Sequence, residues 1–117
     1  MSIFSCLDFD EEGWAYTGNE NGHIYVFSDS CTVVKAIKVS AAAVTVVAAA
    51  NGKLLSGSKD KKVAIISAGG GSWKLDKFVD LGQSFPKALD WQNGNLLAGL
   101  RNGTIVEVKA ALDSEEV

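Results

Sequence analysis

The chain has 117 residues, of which 47% are hydrophobic and 21% charged, and its formal net charge is -3. These proportions are those of an ordinary folded domain and exclude a disordered or fibrous chain. Because the charge balance is negative and the longest weakly polar stretch, 40–50, is too short to span a membrane, we expect neither nucleic acid nor a membrane as partner.

Glycines divide the chain into three units of similar length. They form three pairs with the same internal spacing, which are Gly13 and Gly18, Gly52 and Gly57, and Gly94 and Gly99. A repeat of about 40 residues is typical of β-propeller blades. The same order of residues follows the second glycine of each pair, in GNENGHIYVF, GSKDKKVAII and GLRNGTIVEV. We therefore interpret these six glycines as structural.

The first unit, about 2–40, contains four predicted strands. Its apolar runs are IFSCLDF, WAYT, HIYVF and VVKAIKV, and turn-forming residues separate them. The last run is largely alternating, as expected of a strand with one face toward water. The acidic residues around the first turn are interpreted as solvated, because nothing nearby supplies a nucleophile or a metal ligand; they are Asp8, Asp10, Glu11 and Glu12.

The second unit, about 41–82, begins with an alanine-rich stretch in which a helix is a serious alternative, since alanine is the best helix former. Four consecutive β-branched residues, 44–47, lose side-chain freedom in a helix. The stretch also aligns with the first strands of the other two units, so a strand is predicted. The run LDKFVDL, from Leu75 to Leu81, is the predicted outer strand of this unit.

The third unit, about 83–109, is incomplete. FPKALDW, NLLA and the run ending at Val108 are predicted strands, whereas 110–117 are interpreted as an acidic tail. The chain therefore contains eleven predicted strands. The predicted fold class is all-β, with about three four-stranded antiparallel propeller blades in an incomplete ring.

The amino-acid sequences of these units resemble those of a known protein family. The phrases NENGHIYVF, AVTVVAAANGKLLSGSKDKKVAII and KALDWQNGNLLAGLRNGTIVEV look like WD repeats, and specifically like those of the echinoderm microtubule-associated protein-like family. The resemblance implies a propeller scaffold that acts in the cytoskeleton through association with tubulin or microtubules. A cytoplasmic location is expected because Cys6 and Cys31 are interpreted as reduced, and the resemblance adds cytoskeletal association.

The polar network that usually pins a WD repeat is eroded in this chain. Trp-Asp is absent from the ends of the third strands, and no Gly-His precedes the first strands. Ser56 and Asp60 keep two members of the network in the second unit. Thr17 and Asn21 are weaker equivalents in the first unit. The blades are therefore expected to depend on apolar packing.

Three blades cannot close a ring, since propellers typically have about 4 to 8 blades. Both terminal blades should present an uncovered apolar face, and burial of apolar area favours association. Two alternatives remain open: the chain is part of a longer propeller, or copies assemble head to tail into a homo-oligomer. A dimer would supply six blades and a trimer nine.

Seven residues are candidates for partner contact. Four lysines form a basic concentration, and Arg101 lies in the matching turn of the third unit; the candidates are Lys53, Lys59, Lys61, Lys62, Arg101, His23 and Trp73. His23 begins a strand and is expected to be half-exposed. Trp73 opens an outer strand and would anchor an interface if it were exposed.

Enzyme activity is not expected. The chain has one histidine, and Cys6 and Cys31, which are interpreted as reduced, are not part of a metal-type pattern. The loop at 69–71 lacks the spacing of a phosphate-binding motif. We therefore expect no catalytic residue, no cofactor and no metal, and interpret the chain as a non-catalytic protein-interaction scaffold. A self-assembling structural module is the alternative.

Overall fold

Eleven β-strands in three antiparallel sheets form the fold of the described part of the chain. The computed structural model describes residues 4–112. Each sheet is an up-and-down meander in which strands adjacent in sequence pair with each other. The all-β prediction is confirmed. We refer to the three sheets as blades 1, 2 and 3.

The blades follow one another along the chain. Blade 1 comprises β1 (Phe4–Phe9), β2 (Ala15–Asn19), β3 (His23–Phe27) and β4 (Val33–Lys38). Blade 2 comprises β5 (Val44–Ala50), β6 (Lys53–Ser58), β7 (Lys62–Gly69) and β8 (Ser72–Asp80). Blade 3 comprises β9 (Pro86–Gln92), β10 (Asn95–Leu100) and β11 (Ile105–Val108). Residues 2–3 of the first predicted unit and 113–117 of the acidic tail lie outside the described residues.

The alanine-rich stretch is a strand, as predicted. β5 pairs with β6 along its length, and its β-branched residues pack on both sides of the sheet. The outer strand β8 begins at Ser72, three residues before its predicted start. Gly70 and Gly71 both have positive φ, at 60° and 75°, so a tight turn lets pairing start at Gly69 and Ser72.

The turns fall on two rims. An up-and-down meander places its second turn opposite its first and third, so the β2–β3, β6–β7 and β10–β11 turns lie at one end, which we call the upper rim. The loops between blades also lie there. The amide of Val39 donates to Gly22 O (2.9 Å), and the amide of Leu81 donates to Lys61 O (2.8 Å). The opposite end is the lower rim.

The hydrophobic core lies between the blades. One cluster fills the space between blades 1 and 2; its members include Tyr16, Ile24, Val26, Val44, Leu54 and Ile66. A second cluster lies between blades 2 and 3; its members include Leu55, Val63, Ile65, Trp91, Leu96 and Leu100. Blade 2 is therefore covered on both faces, which explains its run of fully buried residues in β6 and β7.

Candidate interaction surfaces

The predicted structural glycines serve two different purposes. Gly13, Gly52 and Gly94 lie in the lower-rim turns with positive φ. Gly18 and Gly57 lie where the next blade approaches closely. A Cβ on Gly18 would stand 2.3 Å from Val44 Cγ1, and one on Gly57 2.3 Å from Pro86 Cγ. Only hydrogen fits at these two positions.

Gly99 holds the position in blade 3 that Gly18 and Gly57 hold in blades 1 and 2. The side chain nearest to an added Cβ there is Ala88, at 3.7 Å, on the neighbouring strand of the same blade. Nothing in the described chain covers this glycine from the far side. The far faces of blades 1 and 3 are both open, so the ring is not closed.

Two acidic residues lie at the junction of blades 1 and 2, and one of them contacts blade 2 directly. Asp8 Oδ2 accepts a hydrogen bond from the amide of Ala49 on β5 (2.8 Å). Asp10 Oδ2 accepts from the hydroxyl of Tyr16 (2.5 Å), and Asp10 Oδ1 accepts from two amides of its own turn. The interpretation of this cluster as a solvated turn is therefore wrong for Asp8, to which the neighbouring blade brings a donor that the sequence does not reveal. It is also wrong for Asp10, whose carboxylate is held by Tyr16 and by its own turn.

Trp73 completes the same junction. Its indole Nε1 donates to the Tyr16 hydroxyl (2.8 Å), and its ring meets that of Trp14 edge to face, with 5.2 Å between centroids. Burial, together with the hydrogen bond to Asp10, raises the pKa of Tyr16 well above its usual range. Trp73 is half-buried, and the face that it anchors is the internal one between blades 1 and 2.

The polar network of blade 2 differs from the one expected. Asp60 accepts from the hydroxyls of Ser58 and Ser40, whereas Ser56 Oγ is buried without a hydrogen-bond partner among the described residues. The pairing of Ser56 with Asp60 was thus a wrong expectation: Ser58 lies two residues nearer on the same face of β6. Burial opposes ionisation of Asp60, but the hydrogen bonds outweigh it and lower the pKa of this carboxyl.

The other two upper-rim turns are held by different side chains. Asn19 Oδ1 accepts from the amides of Asn21 (3.0 Å) and His23 (2.9 Å), and Asn102 Oδ1 accepts from the amide of Thr104 (3.0 Å). In blade 1 the capping residue is therefore Asn19, not the predicted Asn21. Each turn keeps an oxygen acceptor, although the residue that carries it changes.

A basic patch lies on the upper rim of blade 2. Lys59 and Lys61 in the β6–β7 turn, and Lys62 at the start of β7, are exposed and form no ion pair within residues 4–112. Arg101 is exposed on the same rim of blade 3. We call Lys59, Lys61 and Lys62 the upper-rim patch.

Lys53 does not belong to this patch. It lies at the lower rim, where its Nζ forms an ion pair with Asp76 (3.0 Å) and donates to the hydroxyl of Ser67 (2.8 Å). Strand β6 separates the two ends by about 20 Å, since an extended residue spans about 3.3 Å. Grouping Lys53 with the other lysines was therefore wrong: they are close in sequence but not in space.

His23 is half-buried at the start of β3. Its ring stacks on that of Tyr25, with 6.1 Å between centroids, and its Nδ1 is buried without a partner in the described region. Cys6 and Cys31 form no disulfide. Between Phe4 and Leu112 there is no group of three potential metal ligands and no helix that could cross a membrane.

The fold and its open faces define the class: three stacked antiparallel sheets of an incomplete β-propeller. No family model matches the chain. It is similar to the ciliary WD repeat-containing protein ctxp80 of Euplotoides octocarinatus, with 33% identity over 113 residues. That match covers 97% of this chain but 15% of the ciliary protein. The chain therefore resembles a short part of a longer WD-repeat protein.

Solved structures share the fold at low sequence identity. A chain of the mitotic checkpoint complex superimposes with a TM-score of 0.81 at 16% identity, over 94% of this chain and 36% of that one. The computationally designed Ika8 protein gives 0.76 at 21%, over 92% and 33%. The β-propeller domain of Cps50 (Swd1) from Myceliophteria thermophila gives 0.70 at 11%, over 92% and 44%. In each case this chain spans less than half of the longer propeller chain.

Proposed function

We propose that this chain is part of a cytoskeletal scaffold that contacts microtubules through the upper-rim patch. The observation that carries the proposal is the patch itself, three exposed lysines within four residues at a turn in which the Asp60 carboxylate accepts from the Lys62 amide. Asp60, the one acid among them, accepts hydrogen bonds from Ser40 and Ser58 and keeps its negative charge. The three exposed lysines outnumber it, so the turn keeps a positive charge that an acidic protein surface would attract.

Two further observations support the microtubule as the partner. The repeats resemble those of the echinoderm microtubule-associated protein-like family, and the similar WD-repeat protein is named as ciliary. Positive charge on the upper rim is concentrated at blade 2. Blade 1 carries Glu20 in the turn that corresponds to the patch, and blade 3 carries the cation Arg101.

Co-sedimentation with polymerised tubulin tests this proposal. Wild-type protein should pellet with microtubules at low ionic strength and be released as salt is raised, because screening weakens contacts between exposed charges. The triple variant Lys59→Glu, Lys61→Glu, Lys62→Glu should bind at least about tenfold more weakly.

The matched control reverses Lys35, Lys74 and Lys109, which lie away from the upper-rim turns and give the same change in net charge. Equal losses in both triple variants would show that only overall charge matters. If the wild-type protein stays in the supernatant at low salt, the proposal is wrong.

A second candidate function is a self-assembling module whose copies cover each other's open faces. The specific observation is that blade 1 exposes large apolar side chains on its far face, with Phe4 48%, Leu7 60% and Phe9 60% exposed. A folded domain rarely leaves such side chains contiguous and uncovered. Light scattering after gel filtration tests this candidate, which requires a discrete dimer or trimer.

A further inference from the structure

The chain makes the same blade-to-blade junction twice, and the strand registers show which residues are equivalent. Gly18 pairs with Cys6, Gly57 with Val46, and Gly99 with Ala88. Each blade therefore has a leading face, which seats on the blade before it, and a trailing face, which receives the blade after it. The glycine lies on the trailing face.

The trailing face of blade 3 matches the two that are covered. Tyr16 and Leu55 occupy one equivalent position and are fully buried, whereas Leu97 at that position is 44% exposed. Ile24 and Val63 are fully buried at a second position, and Ile105 there is 73% exposed. This face keeps apolar residues at two sites that are buried only when a further blade covers them.

The leading face of blade 1 is the other half of the junction. Val44 lies over Gly18, and Pro86 lies over Gly57. Within its own blade, each of these two residues pairs with the residue that follows the glycine of that blade. In blade 1 the same pairing, to Asn19, belongs to Phe4. Phe4, Leu7 and Phe9 are therefore the side chains that blade 1 presents to a preceding blade.

We propose that the trailing face of blade 3 receives the leading face of blade 1 from a second copy of this chain. Phe4 of the second copy lies over Gly99, and its Leu7 packs against Leu97 and Ile105. A second copy is the occupant because each open end lacks the half of the junction that the other end supplies. This proposal rests on the self-assembly candidate and adds its direction, head to tail, and its register.

One residue of the trailing face limits the strength of this contact. Glu107 occupies the position that Val26 and Ile65 hold in the covered junctions, where both are fully buried. A carboxylate at this site loses solvation when the junction forms. Head-to-tail association of the wild-type chain should therefore be weaker than the junctions within the chain, and Glu107→Ile should strengthen it.

The decisive variant is Gly99→Ala. A Cβ at this position meets only Ala88 at 3.7 Å within the chain, so the monomer should fold with an unchanged unfolding midpoint. In the junction the same Cβ would collide with the residue over it, as the 2.3 Å approaches at Gly18 and Gly57 show. Sedimentation velocity should show association of the wild type, at least about tenfold weaker association of Gly99→Ala, and tighter association of Glu107→Ile.

Direction is tested by mixing two variants that are each blocked on one face. Leu7→Glu blocks the leading face and Leu97→Glu the trailing face, and both sites are exposed in the monomer, so folding should survive. Each variant alone should be monomeric. An equimolar mixture should form a one-to-one dimer through the one unmodified pair of faces.

The remaining outcomes separate this proposal from the candidate on which it rests. If the wild-type chain stays monomeric, both this proposal and the self-assembly candidate are wrong. Association that is insensitive to Gly99→Ala and Leu97→Glu leaves self-assembly in place and overturns this junction. Failure of the mixture to associate, after each variant alone is monomeric, overturns the head-to-tail direction.

Discussion

The junction between blades 1 and 2 and the junction between blades 2 and 3 have the same backbone geometry but different polar contacts. In the first, the Asp8 carboxylate accepts a hydrogen bond from blade 2, and Trp73 of blade 2 donates one to Tyr16 of blade 1. In the second, side chains of blade 2 donate to backbone carbonyls: Thr45 Oγ1 to Pro86 O (2.6 Å) and Asn51 Nδ2 to Trp91 O (3.0 Å).

What the two junctions share is apolar packing around a glycine. Each contains a cluster of fully buried side chains, and each has a strand that stands directly over Gly18 or Gly57. The comparison indicates that apolar packing determines how the blades stack. The hydrogen bonds differ between the junctions because each junction buries different polar groups, which need partners. Five predictions test this, from the largest expected effect to the smallest.

Loss of a buried apolar side chain should lower the free energy of unfolding most, and by similar amounts in the two junctions. Leu54 and Leu55 are both fully buried, the first between blades 1 and 2 and the second between blades 2 and 3. Leu54→Ala and Leu55→Ala should each lower the free energy of unfolding by about 2–5 kcal/mol, measured by urea denaturation. Leu75→Ala, on the exposed outer strand, is the control and should have little effect.

The same two variants should act locally if the junctions are separable. Fluorine NMR of 5-fluorotryptophan protein provides the readout, since Trp14 and Trp73 report the first junction and Trp91 the second. Leu54→Ala should shift the first two resonances and Leu55→Ala the third. Equal shifts of all three in both variants would contradict separate junctions.

Adding one methyl group should distinguish covered glycines from the open one. Gly18→Ala and Gly57→Ala bring a Cβ to within 2.3 Å of the next blade, so each should destabilise the fold by about 1–3 kcal/mol. Gly99→Ala, measured at concentrations where the chain is monomeric, should leave stability unchanged. Equal losses at all three positions would show that the glycines matter for backbone reasons alone.

The first junction alone should respond to high pH. The pKa of Tyr16 is higher in the folded chain than its ordinary value of about 10, so its contribution is complete below that pH. Above it, the unfolded chain ionises first and stability falls. Tyr16→Phe should flatten this part of the pH profile of thermal unfolding. At neutral pH it should cost about 0.5–1.5 kcal/mol through the lost hydrogen bonds.

The smallest effect should be acid sensitivity of the upper rim of blade 2. The pKa of Asp60 is lowered in the folded chain, so its contribution is complete above the ordinary aspartate value of about 3.9 and is lost as pH falls through the folded value. Asp60→Asn should therefore reduce the drop in melting temperature between neutral and acidic solution. A profile identical to the wild type would contradict the role of the Ser40 and Ser58 contacts.

Much of the fold could be predicted because the three repeats can be aligned with one another. Equivalent glycines and β-rich runs located all eleven strands and resolved the helix-or-strand question at 44–50 in favour of a strand. The candidate site could be predicted only in part. Lys59, Lys61, Lys62 and Arg101 share a rim, as expected, because they lie in equivalent turns.

The errors concern contacts and distances in three dimensions that the order of residues along the chain does not show. Asp8 looks like a solvated acid until β5 is placed beside it, and Asp10 accepts from Tyr16, which is itself hydrogen-bonded to Trp73. Lys53 looks like part of the basic patch until the length of β6 separates it from the others. Ser56 aligns with a known network, yet Ser58 reaches Asp60 instead.

By itself, the sequence determined the strands, the turns and the number of sheets, because these follow from local preference and from a short repeat. The tertiary structure decided which faces are covered and which remain open, which acids connect blades, and which glycines must be glycine. Those properties depend on the distance between neighbouring sheets. No residue pattern within one blade records that distance, since it is set by the side chains of the blade packed against it.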